Sequence, residues 1–293
     1  MKIIDAHHHI WRRADLPWLL GPTQPRIFGP YDGIKRDYSI GEFVEDAVPC
    51  GVTKSVYVQA NWAPNWFLDE VRFVTRASEA SGWPHAIAAY CNMLQEDARA
   101  DLEALAAFPL VRAVRHQMHY HHNPQYRFAP GPEVVGSDTV VRNVGALADY
   151  GFAFELQVFT PQTPAALRLV DECADVTFIL QHALMPEDRS EAGITRWREA
   201  LQSFAARPNV VSKLSGFGTF IHRNDPVHIA DIVTDALDIF GPSRCLFGSN
   251  FPIEKLWTQY APLLSAVRDA LAALPEEDQA AVLHNTAANV YRI

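Results

Sequence analysis

A single (β/α)8 TIM barrel spanning residues 1–293 is the fold this sequence predicts, and two observations carry the prediction. Short apolar, β-rich runs alternate with amphipathic helical stretches from one end of the chain to the other, which is the pattern of a parallel sheet covered by helices. The runs number about eight, in a chain of ordinary length for a closed barrel. They cover residues 3–10, 52–60, 86–93, 111–118, 153–159, 177–184, 210–216 and 245–248. Helical patterns fall between or after them at 65–80, 101–108, 138–150, 164–174, 195–206, 227–240 and 260–273.

Local punctuation agrees with that alternation. Ser137 or Asp138 can cap the 138–150 helix and Gly151 can end it, while Asp225-Pro226 opens the 227–240 helix with a capping acid and a first-turn proline. Leu102, Leu105 and Phe108 recur at helical spacing and read as core. A doubly wound open sheet would alternate in the same way, but no glycine-rich phosphate loop follows the first strand to support a nucleotide-binding version. The longer polar stretches, 12–37 and 120–136, both follow strands and are expected to overhang a site at the barrel mouth. In the first, Trp11, Trp18, Phe28 and Tyr31 either cover the mouth or touch substrate directly.

Bulk properties exclude several functions. A net charge of −9 with no long basic run leaves no footprint for nucleic acid or an anionic membrane, so the expected partner is a small molecule, with homo-oligomerisation left open. Hydrophobic residues make up 48% of the chain, enough for a full core, and no apolar run has the length of a membrane span. Residues 1–9 meet an acid and then histidines without the apolar core of a signal peptide, which makes the cytoplasm the expected compartment. Cys50, Cys91, Cys173 and Cys245 are scattered and read as small buried apolar groups.

Chemistry begins in the first strand, Asp5-Ala6-His7-His8-His9. A period of two puts Asp5, His7 and His9 on one face and His8 on the other, so two imidazoles converge on one point. Histidines near a strand end also serve as ordinary hydrogen-bonded groups. A His-x-His pair, however, supplies half of a tetrahedral shell for zinc or another first-row divalent ion. Asp5 is expected to hold a histidine in one tautomer, and His8 to be structural.

Together with this start, Val111-Arg112-Ala113-Val114-Arg115-His116, Gln181-His182 followed by Pro186, Lys213-Leu214-Ser215-Gly216 and Phe247-Gly248-Ser249-Asn250-Phe251-Pro252 form an ordered set. As a set they resemble the second amidohydrolase branch, which includes sugar-acid lactonases, 2-pyrone-4,6-dicarboxylate lactonase and decarboxylases. The resemblance runs from residue 3 to the terminal helix at 285–291. It implies that His7, His9 and His182 surround a metal or, in metal-free relatives, bind substrate directly. It further implies that Arg115 holds a carboxylate or carbonyl and that Asn250 stands at the position of the family's acid.

The departures are as informative. No lysine ends the fourth strand to form a bridging carbamate, the fifth strand carries Glu155 and Gln157 where binuclear relatives have histidine, Gln181 replaces an acid, and Asn250 replaces the final Asp. The expected cofactor is therefore one weakly held divalent ion, zinc before others, or none. A neutral amide cannot take a proton from water, so another base is needed; His116 and Glu155 are the candidates. Arg115, Lys213 and Trp11 are the expected substrate-binding residues, and His116, Glu155, His182 and Asn250 the expected catalytic ones. The chain is thus expected to be a hydrolase of a small, anionic carbonyl compound, with lactone hydrolysis first. A decarboxylating lyase on the same barrel and a catalytically silent ligand-binding barrel are the competing readings.

Overall fold

In the computed structural model, which describes residues 1–24 and 26–293, eight parallel strands follow one another around a barrel in chain order. They are β1 (Ile3–His8), β2 (Val52–Val58), β3 (Ala86–Tyr90), β4 (Val111–Arg115), β5 (Ala153–Leu156), β6 (Phe178–Leu180), β7 (Val210–Leu214) and β8 (Cys245–Phe247). Each lies within an expected run. The runs were drawn several residues too long because apolar and functional residues continue beyond the last ladder hydrogen bond, into the loops of the barrel mouth.

The seam between β8 and β1 is closed by a parallel bridge between His8 and Phe251. The His9 amide donates to Phe251 O at 2.7 Å and the Asn250 amide to His7 O at 2.7 Å. Asp5 secures the same seam. Its carboxylate accepts from the amides of His7 (3.0 Å) and Ser249 (2.9 Å) and from the Tyr260 hydroxyl (2.9 Å). Asp5 therefore ties backbone across the seam instead of holding a histidine tautomer, which corrects the expectation.

Two apolar layers surround the strands. The outer one packs their outward faces against the helices and includes Leu102 and Leu105, with Phe108 partly buried against it. The inner one lines the barrel axis with Ile4, Ala6, Val56, Ala86, Ala88, Ala113, Ala153 and Ile179. So many alanines leave room for a plug: Tyr291, from the terminal helix Thr286–Tyr291, is fully buried in that inner cluster. The 227–240 helix starts as read, with the Asp225 carboxylate accepting from the amides of Val227 and His228. Ser137 caps the helix at Asp138–Gly145, but the expected 138–150 helix is split, with a short second piece at Leu147–Tyr150 ended by left-handed Gly151. The α-helices outside the expected ranges are Pro17–Leu20, Glu276–Ala280 and Ile40–Ala47, the last with a Ser39 cap that accepts from Glu42 N. None of the described helices is long and apolar enough to cross a membrane.

Candidate active site

The carboxyl ends of the strands frame a cavity with about 610 Å³ of atom-free space, counting the part open to solvent. His9 and Trp11 reach it after β1, Arg115 from β4, His182 after β6 and Asn250 after β8. This is the end at which barrel enzymes assemble their chemistry.

His7, His9 and His182 are brought together. The His7 ring centroid lies 5.1 Å from that of His9 and 4.9 Å from that of His182. His9 Nδ1 is 2.7 Å from Val58 O; a carbonyl only accepts, so Nδ1 carries the proton and Nε2 keeps its lone pair. His182 Nδ1 pairs with Ser215 Oγ at 2.9 Å. His7 is fully buried, and neither ring nitrogen has a hydrogen-bond partner among the described residues. Burial first, then the charges of Lys213 and Arg115, drives the pKa values of His7 and His182 far below the usual imidazole value, and burial takes His9 down to about 3. All three rings are neutral at neutral pH. His8 takes the opposite face, stacked on Phe43 at 3.8 Å.

Backbone strain is concentrated here. From His182 to Met185, four successive non-glycine residues have φ between 46° and 64°. Each left-handed residue costs about 1–2 kcal/mol, so packing elsewhere must hold the segment. Trp197 does part of this, donating its indole N–H to Ala183 O at 2.7 Å. Gly216 does another part: at φ 64°, a Cβ there would sit 2.5 Å from His182 Nδ1.

Arg115 lines the cavity while donating to Gln181 Oε1 (3.3 Å) and Gln59 O, and its Nε has no partner among the described residues. Burial lowers its pKa only to about 10, so it remains a cation. Trp11 lines the cavity with its indole N–H on Arg36 O at 2.8 Å. Trp18 and Phe28 also face the cavity, whereas Tyr31 backs them with its ring 5.4 Å from Trp18. The 12–37 loop therefore both covers the mouth and lines it.

Four expected site residues do not line the cavity: His7, fully buried behind His9 and His182, and Lys213, Glu155 and His116. Lys213 is fully buried, with Nζ 2.7 Å from each oxygen of Glu155. Glu155 also accepts from Gln181 Nε2 at 2.9 Å and from the Tyr291 hydroxyl, so its lone pairs are committed inside the barrel. His116 accepts the Met93 amide proton on Nδ1 at 3.1 Å and packs edgewise on Tyr90, which leaves it no base nitrogen for the cavity. Lys213 as a substrate ligand, and Glu155 and His116 as water-activating bases, are accordingly corrected.

The structure adds others. Gln117 and Gln157 line the cavity, and the alternation Ala113-Arg115-Gln117 and Ala153-Glu155-Gln157 could have found them. Arg26, from the 12–37 loop, also lines it. Its guanidinium carbon lies 4.8 Å from the Trp18 ring centroid, 5.8 Å from Tyr31 and 5.9 Å from Phe128, and its Nε has no partner among the described residues. A basic residue set between Trp18 and Phe28 in the aromatic stretch of that loop was the available signal.

As a resident metal site the donors do not fit. Among the described residues no group of three or more His, Cys, Asp or Glu side chains is arranged to hold an ion. The imidazoles lie in the positive field of Lys213 and Arg115, and a neutral amide stands at 250.

A barrel with a strand-end histidine cluster of this order defines an enzyme of the hydrolase class. The chain belongs to the amidohydrolase family, matching it over residues 4–293. It is 29% identical to an uncharacterised protein of Sinorhizobium fredii, covering 100% of this chain and 99% of that one. To the L-fucono-1,5-lactonase of Burkholderia multivorans it is also 29% identical, over 99% and 96% of the two chains. A crystal structure of an amidohydrolase from Burkholderia multivorans with bound zinc superimposes with a TM-score of 0.83 at 26% identity, over 100% of each chain.

Proposed function

We propose that this enzyme is a lactonase that opens the ring of a small lactone bearing a carboxylate. The observation that carries the reading is the composition of the cavity, where neutral imidazoles meet two guanidinium groups, those of Arg115 and Arg26. The similarity over almost the whole chain to an L-fucono-1,5-lactonase supports the lactone part. The two cations support the carboxylate part, because a guanidinium binds carboxylate through paired, charge-assisted hydrogen bonds.

In this mechanism the scissile carbonyl lies against Arg115, which lines the cavity and whose unpartnered Nε–H is free to donate to it. Ser215 accepts from His182 Nδ1, so that Nε2 presents a lone pair to the attacking water. Attack builds negative charge on the carbonyl oxygen, and this fixed cationic donor stabilises it, an effect that is commonly the largest in such reactions. The imidazolium formed on His182 then returns its proton to the leaving ring oxygen. Arg26, above the mouth, takes the carboxylate remote from the reacting bond.

Hydrolysis of L-fucono-1,5-lactone, muconolactone and 2-pyrone-4,6-dicarboxylate, followed by proton release, tests the reading. Carboxylated lactones are expected to be preferred, and Arg26→Met is expected to raise KM for them about tenfold or more, a loss of about 1.4 kcal/mol, while sparing a neutral lactone. Carbon dioxide release from an aromatic acid with no lactone opened would overturn it.

A further inference from the structure

The residues that line the cavity bury three polar atoms without a partner among the described residues: Nε of Arg26, Nε of Arg115 and Oε1 of Gln117. The two nitrogens donate, whereas the glutamine oxygen only accepts. A carbonyl for Arg115 and a carboxylate for Arg26 are both acceptors, and neither can complete Gln117. Something that donates is needed there.

The orientation of that oxygen is fixed by its neighbours. Gln117 Nε2 donates to Gln157 Oε1 at 3.2 Å, and Gln157 Nε2 donates to Met185 Sδ at 3.4 Å. A thioether sulfur has no hydrogen to give, so Gln157 turns its NH2 to Met185 and its oxygen to Gln117. Gln117 must answer with its own NH2, because reversing either amide would set two acceptors face to face. Its oxygen is the end left over. Gln157 and Met185 are themselves buried, 2% and 1% exposed, and Met185 closes the left-handed run that starts at His182. Side chains that follow β4, β5 and β6 therefore combine to present one acceptor. A buried acceptor with no donor is costly, and it persists where a ligand completes it.

We propose that Gln117 is a specificity-determining residue whose Oε1 accepts a hydrogen bond from a hydroxyl of the substrate, which makes the substrate a lactone that carries a hydroxyl as well as a carboxylate. The lactone part rests on the function proposed above; the hydroxyl part rests on Gln117 and the residues that orient it. An otherwise similar molecule without the hydroxyl leaves Oε1 buried and unpaired, and a site built for a donor rejects such an analogue.

The first readout needs no turnover. D-glucarate and adipate are dicarboxylates of the same chain length that differ in their hydroxyl groups, and calorimetric titration gives the affinity of each. The wild type is expected to bind D-glucarate about tenfold or more tightly than adipate. Gln117→Met, which keeps the side-chain length and removes the acceptor, is expected to bind the two within about twofold of each other, with adipate affinity unchanged. Met185→Leu leaves Gln117 in place but removes the sulfur that orients the pair, and is expected to narrow the preference about threefold. It decides the matter if Gln117→Met loses adipate as well. Equal binding of the two acids by the wild type, binding of neither, or a preference for D-glucarate that survives Gln117→Met would overturn the proposal.

The second readout is hydrolysis of D-glucaro-1,4-lactone and of muconolactone, which has the carboxylate but no hydroxyl. Gln117→Met is expected to raise KM about tenfold for the first and to leave the second within about twofold. Equal losses on both would likewise overturn the proposal. If neither lactone is opened, the lactonase reading fails by itself, and the binding ratio still decides the role of Gln117.

Discussion

Two buried polar clusters share the barrel interior, and they differ in what they leave unpaired. Deep in the barrel, Lys213, Glu155, Gln181 and Tyr291 use one another's donors and acceptors fully, with the lysine 2.7 Å from both carboxylate oxygens. Toward the mouth, Arg115 has one buried nitrogen without a partner among the described residues, and His7, behind the cavity wall, has two. A buried polar group that lacks a hydrogen bond costs about 1–3 kcal/mol, so such groups persist where something else completes them. Residue type alone does not separate scaffold from site in this barrel. Satisfaction does.

The largest expected effect breaks the lower cluster. Lys213→Met leaves Glu155 charged in the barrel with its main partner gone, and removing one partner of a buried ion pair costs about 3–5 kcal/mol. Denaturant unfolding is expected to show a loss of that size. A loss below about 1 kcal/mol would mean that the pair is not structural.

His182→Gln acts on the upper cluster and is expected to do the reverse. Stability should change by about 1 kcal/mol or less, whereas kcat/KM should fall about 100-fold or more, equivalent to about 3 kcal/mol of transition-state stabilisation. His8→Gln, on the outward face of β1 against Phe43, is the control expected to leave rate intact. Equal rates for His182→Gln and wild type would move the chemistry elsewhere.

Acid stability sharpens the contrast more gently. Burial depresses His9 and His119 to about 3 and His116 to about 4, and His7, His8 and His182 well below 6.5. In that window the unfolded chain binds protons that the folded chain refuses. The stabilisation is complete above 6.5 and is withdrawn as pH falls toward 3, by up to about 1.4 kcal/mol per pH unit for each group. Glu254 and Glu70, raised to about 8 and about 7, have the opposite sign and lose stability as pH rises from the usual carboxylate range to those values. The melting temperature is therefore expected to fall steeply on acidification. His8→Phe, which keeps the stack on Phe43 and removes one titrating ring, should make that fall shallower. Parallel curves for the two proteins would contradict the buried-histidine account.

Much of this was legible in the residues. Alternation located all eight strands, and the period of two along residues 5–9 separated His7 and His9 from His8. Asn250 was recognisable as a missing acid. The partners that reassign Lys213 and Glu155 were not legible, because they stand 58 residues apart and meet Tyr291 only across the barrel axis. Nothing local marks a salt bridge of that kind. Asp5 was misread for a related reason, since its three donors come from β1, the β8 loop and the helix that begins at Tyr260. Arg26 was passed over because it belongs to no motif; the closed 12–37 loop, not spacing, brings it to the cavity.

The most direct test of the central claim is a crystal structure of the enzyme with the ring-opened product of a carboxylated lactone. The carboxylate newly formed from the lactone carbonyl is expected within hydrogen-bond distance of the Arg115 guanidinium and of His182 Nε2, with the remote carboxylate on Arg26, and with Lys213 still bound to Glu155. Product seated elsewhere with Arg115 and His182 untouched, or Lys213 swung out of its pair to meet the product, would contradict it.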